Sequence, residues 1–132
     1  MRLVDFPAGR RLAVLDHRAR RHDFATCEEC YIEVLVPHLR PGLVVFDVGA
    51  EEGEFTALAA GIAGGPNVHI MEPAPWIWPN IKAVWDANLK DQPPGGARNI
   101  YPVCAVIRRL PISRMCRHPV DRIGNYIFVA HL

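Results

Sequence analysis

The chain has no apolar run of the ~18 residues that a membrane-spanning helix requires, which excludes an integral helical membrane protein as the expectation. Residues 1–15 carry Asp5, Arg10 and Arg11 where a secretory signal would carry its apolar stretch, so a cytoplasmic location is expected. Net charge is scarce too, at +1 over 132 residues, and supplies no global field for nucleic acid or an anionic membrane. Aromatic residues make up 8% and do not interleave with the basic clusters, so nucleic acid is not an expected partner. Internal repeats and low-complexity tracts are absent. What remains is the composition of one ordinary globular domain, half hydrophobic and 22% charged.

The charge is unevenly placed. Arg10, Arg11, Arg18, Arg20 and Arg21 crowd the N-terminal segment, and Arg108, Arg109, Arg114, Arg117 and Arg122 crowd the C-terminal one. Both are read as solvated basic faces. Asp47, Glu51, Glu52, Glu54 and Glu72 concentrate in the middle. Four cysteines without an export signal read as reduced thiols. Cys27-x-x-Cys30 invites a metal, but Cys104 and Cys116 lie too far apart in sequence to make the second close pair of a zinc ribbon. Cys27, Cys30, Tyr31 and Val34 instead fall on one helical face, as packed thiols would, and no metal is expected.

Two apolar-leaning runs, residues 2–6 and 11–15, flank Pro7-Ala8-Gly9-Arg10 as a hairpin. A polar basic stretch follows, and then a helix from about residue 25 to 39, stopped by Arg40-Pro41-Gly42. Leu43-Val44-Val45-Phe46 is short and continuously apolar, the pattern of a strand buried on both faces. Residues 54–63 are alanine-rich with helical periodicity and end at Gly64-Gly65-Pro66. Residues 67–71 form a second strand, and residues 78–89 a second helix of the unit with Pro79 in its first turn. Residues 91–98 are a loop, and residues 100–106 a third strand placed at a sheet edge by Pro102. Tyr126-Ile127-Phe128-Val129-Ala130 is a fourth strand. Alternation of this kind predicts an α/β fold: a parallel sheet with flanking helices and an N-terminal hairpin, residues 1–40 preceding a ligand-binding unit over 41–132. Ligands of such sheets gather at the carboxyl ends of the strands, where Asp47 and Glu72 lie.

Gly49 and Gly53 bracket the turn after the first of these strands. By itself G-x-x-x-G marks only a tight turn. The dinucleotide fingerprint G-x-G-x-x-G is not met, since Glu51 and Glu54 stand where its later glycines belong. Glutamates at a helix amino terminus suit the dipole but repel a pyrophosphate, which argues against a nicotinamide-dependent oxidoreductase. An acidic loop suits a cationic, phosphate-free nucleoside. Asp47 is then expected to face an ammonium group, and Glu72 to accept both ribose hydroxyls.

With these residues in place, Asp47-Val48-Gly49-Ala50-x-x-Gly53-x-Phe55-Thr56, then Met71-Glu72-Pro73-x-Pro75 and Trp78-Pro79-Asn80-Ile81, the chain resembles the FkbM-type methyltransferases over roughly residues 39–106. The resemblance implies a Rossmann-like class I fold, S-adenosyl-L-methionine as cofactor and O-methyl transfer to a hydroxyl of a small molecule or glycan. Carried over by position, it places Asp47, Gly49, Ala50, Glu51 and Gly53 at the methionine end and Glu72 at the ribose. Pro73 and Ala74, with Cys104 and Ala105, fall near the adenine. Glu51 stands where the family commonly has asparagine. Family members continue past the fourth strand through an acidic stretch and further strands. None follows Ala130 here, so a truncated sheet is expected, with an open strand edge that either a homo-oligomer or an atypically packed C-terminus would cover. No catalytic base is assigned: His69, His118 and His131 read as packed or surface residues. A noncatalytic module acting in assembly or regulation stays open beside the enzyme.

Overall fold

In the computed structural model, described over residues 1–6, 9–22, 24, 35–98, 120–123 and 126–130, the chain is an α/β protein with two sheets. Strands β1 (Arg2–Phe6) and β2 (Arg10–Val14) form the expected antiparallel hairpin, Leu3 opposite Ala13. Directly after it, the polar basic stretch, to which the sequence assigns no element, forms a short helix α1 (Asp16–Arg21). Its acid lies in the first turn and Arg18, Arg20 and Arg21 in the last, the arrangement the helix dipole favours. Of the helix expected over residues 25–39, residues 25–34 lie outside the described residues, Cys27 and Cys30 among them. Its end is a single 3₁₀ turn, Val36–His38.

The main sheet has the order β5-β4-β3-β7-β6. Its strands are β3 (Val44–Val48), β4 (Val68–Met71), β5 (Gly96–Arg98), β6 (Val120–Ile123) and β7 (Tyr126–Ala130). β4 and β7 flank β3 in parallel, and β5 lies parallel to β4. The parallel order, with sequence-successive strands running to one side of β3 and a later strand on the other, is compatible with a Rossmann-like fragment and puts the topological switch point at β3. Helix α2 (Glu54–Ala63) joins β3 to β4 and helix α3 (Trp78–Leu89) joins β4 to β5, with the limits predicted from periodicity.

One expectation is corrected. Residues 96–98 are a strand where a loop was expected. The preceding segment is stitched to the turn before β4: Gly95 N–H donates to the carbonyls of Gly65 and Val68 at 3.1 and 3.0 Å, and Gly65 N–H donates to Gln92 Oε1 at 2.9 Å. A Cβ at Gly95 would collide with the Pro66 carbonyl, so glycine alone permits this approach. The chain therefore enters the sheet earlier than propensity indicates. The strand expected over residues 100–106, with Cys104 and Ala105, and the link 107–119 lie outside the described residues. On its other flank the sheet continues beyond β7, and β6 becomes the outer strand. β6 pairs antiparallel with β7, Asp121 opposite Phe128, so the outer side of β7 is occupied from within the chain.

α2 is the centre of the core. Residues 54–60 and Ala63 are buried, a helix apolar nearly all round and therefore covered on most sides. Its alanines let the helix lie close to Val45, Val68 and Ile70 of the sheet, while α3 contributes Ile81, Val84, Trp85 and Leu89. The hairpin's Phe6, Leu12 and Val14 belong to the same cluster, with Phe24 stacked on Phe6 at 4.9 Å. Asn88 of α3 ties the hairpin down. Its side chain accepts from Ala13 N–H at 2.9 Å and donates to the Ala13 carbonyl at 2.8 Å. Among the described residues, no helix is long and apolar enough to cross a membrane. Asn88→Ala strands both Ala13 groups in a partly buried place and is expected to cost about 1–3 kcal/mol of stability, read by urea denaturation with the slope m unchanged.

Candidate functional site

β3 delivers Asp47 to the carboxyl end of the sheet at its switch point. Val45 and Asp47 are both fully buried while Val44, Phe46 and Val48 are not, so Asp47 projects to the side covered by α2 and α3. Asp47 registers with Ile70, and Glu72 stands two residues further along, so strand alternation puts the Asp47 and Glu72 side chains on one side of the sheet. Asp47 accepts a hydrogen bond from the Thr56 hydroxyl in the first turn of α2. Its carboxylate therefore anchors the helix to the strand rather than presenting itself at the surface.

Between them lies the glycine loop. Gly49 N–H donates to the Met71 carbonyl at 2.7 Å, with Ala50 N–H at 3.4 Å from the same oxygen, so the loop folds over the end of β4. Gly53 closes it, its N–H donating to the Ala50 carbonyl at 2.9 Å. Gly53 takes φ +87° as the cap of α2, and a Cβ there would lie 3.3 Å from the Ile81 backbone. Positive φ and the approach of α3 together account for this glycine without a ligand.

Glu72, 6% exposed, is the hub of the loop. Its Oε2 accepts from Glu51 N–H at 3.1 Å and its Oε1 from Ala74 N–H at 2.7 Å. A carboxylate has about four acceptor positions, so each oxygen retains one for another donor. The following segment is fixed by Trp78, whose indole N–H donates to the Glu72 carbonyl at 3.1 Å. The structure thus brings Gly49, Ala50, Glu51, Gly53, Glu72, Pro73 and Ala74 into one neighbourhood, with Asp47 beneath it. Cys104 and Ala105 lie outside the described residues, as do His118 and His131. His69 stacks on Phe46 at 4.9 Å, away from the loop. Among the described residues, no group of three or more His, Cys, Asp and Glu side chains is arranged to hold a metal ion.

One residue of the site is not legible in the sequence. Arg18, read there as part of a solvated face, has a side chain only 15% exposed and inserts among the loop glutamates. Its Nε meets Glu54 at 2.8 Å, Nη2 meets Glu51 at 3.3 Å, and Nε lies 3.7 Å from Glu52. His17 adds a contact of 2.8 Å to Glu52, and Asn80 of α3 donates to Glu52 at 3.3 Å. Burial opposes the Arg18 charge, but the carboxylates of Glu54, Glu51 and Glu52 outweigh it and raise its pKa above the ordinary arginine value. A raised pKa contributes stability that is fully present below the unfolded value and lost only as pH climbs through the folded one. Across the neutral range the contribution is constant. Three carboxylates against one guanidinium still leave the loop negative. The partners lie more than thirty positions apart, so no local spacing reveals them.

Comparison with protein-family models, with curated proteins and with solved structures finds no match. Arg18→Met leaves Glu54, 4% exposed, without its cation and is expected to lower stability by about 2–4 kcal/mol, with Arg18→Lys between it and the parent. Gly53→Ala is expected to cost at least about 1–2 kcal/mol from its positive φ alone, checked by thermal unfolding of the purified variant.

Proposed function

We propose that the chain is the cofactor-binding portion of a class I, S-adenosyl-L-methionine-dependent methyltransferase of FkbM type, transferring the methyl group to a hydroxyl of a small molecule or glycan. The observation that carries this reading is Glu72. It is a nearly buried carboxylate at the carboxyl end of β4, beside the switch-point strand, held in a fixed orientation by the backbone amides of Glu51 and Ala74. A carboxylate so oriented accepts two vicinal hydroxyls, and a ribose offers such a pair.

Electrostatics supports the same ligand. The loop keeps a negative balance after Arg18 is counted, which disfavours a pyrophosphate at the α2 amino terminus and suits a cationic sulfonium. In this reading Gly49, Ala50 and Glu51 line the methionine end, while Pro73 and Ala74 border the adenine. Asp47 holds the first turn of α2, and with it the loop, through Thr56 rather than touching the ammonium group. When bound, the cofactor supplies an activated methyl group. The residues described here bind and orient it. No base is assigned among them.

A second reading, a noncatalytic module of the same fold used in assembly or regulation, draws on β6, which closes the outer side of β7 with an antiparallel strand. Transfer of a labelled methyl group to any acceptor decides against it.

Calorimetry with S-adenosylhomocysteine is expected to give a dissociation constant of about 1–100 μM, corresponding to roughly 5–8 kcal/mol, with no binding of NAD. Glu72→Ala is expected to weaken S-adenosylhomocysteine by about tenfold to a hundredfold, the worth of hydrogen bonds to a charged acceptor. Absence of binding to the folded parent at millimolar ligand overturns the assignment.

A further inference from the structure

The tip of the glycine loop has little backbone support of its own. Gly49 and Ala50 are held by the Met71 carbonyl and Gly53 by the Ala50 carbonyl, which leaves Glu51 and Glu52 at the crest. Glu51 is the one non-glycine residue with positive φ among the described residues, at +48°, a conformation disfavoured for any side chain with a Cβ. Something must hold it there. On its side-chain end is Arg18, 3.3 Å from the Glu51 carboxylate. On its backbone end is the N–H that meets Glu72 Oε2 at 3.1 Å. Arg18 is itself fixed, gripped by the buried Glu54 at 2.8 Å and by His22 Nε2 at 3.1 Å from its Nη1. The contacts form an unbroken path from α1, through the guanidinium and the strained Glu51, to the carboxylate at the end of β4.

We infer that Arg18 is a positioning residue for the nucleoside site, setting the orientation of Glu72 from outside by clamping Glu51 in its left-handed conformation. The inference rests on the nucleoside reading of Glu72 for its effect on ligand affinity, but the mechanical link between Arg18 and Glu72 is independent of that reading. Planar geometry is what the task requires. A guanidinium presents several donors in a fixed fork and reaches Glu54 and Glu51 at once, whereas an ammonium is a point charge on a flexible stem and serves one of them at a time. Glutamate at position 51 is then explained as the partner of Arg18. The N-terminal segment becomes part of the site without touching the ligand.

The test uses the full chain with Arg18→Lys, which retains the charge, Glu51→Gly, which retains the amide and tolerates positive φ, and the double variant. S-adenosylhomocysteine and adenosine are titrated by calorimetry, and amide hydrogen exchange is followed at position 51 with Gly49 as internal reference. Arg18→Lys is expected to weaken both ligands by the same factor, about fivefold to twentyfold, Glu51→Gly to weaken adenosine by that same factor, and the double variant to weaken adenosine no further, since both changes cut one path. Exchange at position 51 in Arg18→Lys is expected to speed up about tenfold while Gly49 is unchanged, a local opening rather than global unfolding. Unchanged affinity in folded variants, or losses that add in the double variant, overturns the inference. If the parent binds neither ligand, the proposed function falls, and hydrogen exchange alone then decides the link: faster exchange at position 51 upholds it and unchanged exchange removes it.

Discussion

The arrangement at the carboxyl end of the sheet depends on one buried ion pair, Arg18 with Glu54. A carboxylate beneath the first turn of a central helix is tolerable only if it is paired, and the guanidinium does this while reaching two further glutamates. Without it, three acids would face one another across a loop already bent by two glycines and a strained glutamate. With it, the loop is drawn together, and the one amide at its crest that bonds Glu72, the Glu51 N–H, lies 3.1 Å from that carboxylate. The helix dipole works in the same direction, since the acids sit at the amino terminus of α2.

The core fixes the place of that pair. α2 is enclosed by sheet, α3 and hairpin, and its alanines and threonine bring the surrounding layers close. Thr56 joins α2 to Asp47 of β3, and Gly53 lets α3 approach where a Cβ would interfere. Loop, helix and strand end are therefore one packed unit. A change in any of them is transmitted to the others through contact.

Elements with strong periodicity were legible from residue order: the hairpin, β3, α2, β4, α3 and β7 follow from alternation, alanine content and Gly/Pro punctuation. The short helix α1 was missed because six residues rich in arginine carry no apolar stripe. β5 was missed because Gly96-Ala97-Arg98 has no strand propensity and is held in register by bonds from Gly95 and Gln92 to a distant turn. At the site, the place of Glu72 on the same side of the sheet as Asp47 follows from strand alternation, but the expectation that Asp47 faces a ligand did not account for Thr56. Arg18 illustrates the limit most plainly. Its neighbours in sequence mark it as one of several surface arginines, and only the fold brings it to carboxylates thirty-odd positions away.

Asn88 has a consequence for self-association. A hairpin strand carries an outer row of N–H and C=O groups, and such rows recruit the strands of other molecules. At Ala13 that row is satisfied by a side-chain amide that imitates a neighbouring strand, one donor and one acceptor in the spacing a backbone would offer. β2 is thereby denied to a second copy at Ala13 by a residue of the helix that also buries it, and protection against sheet extension is built into the same contact that docks the hairpin.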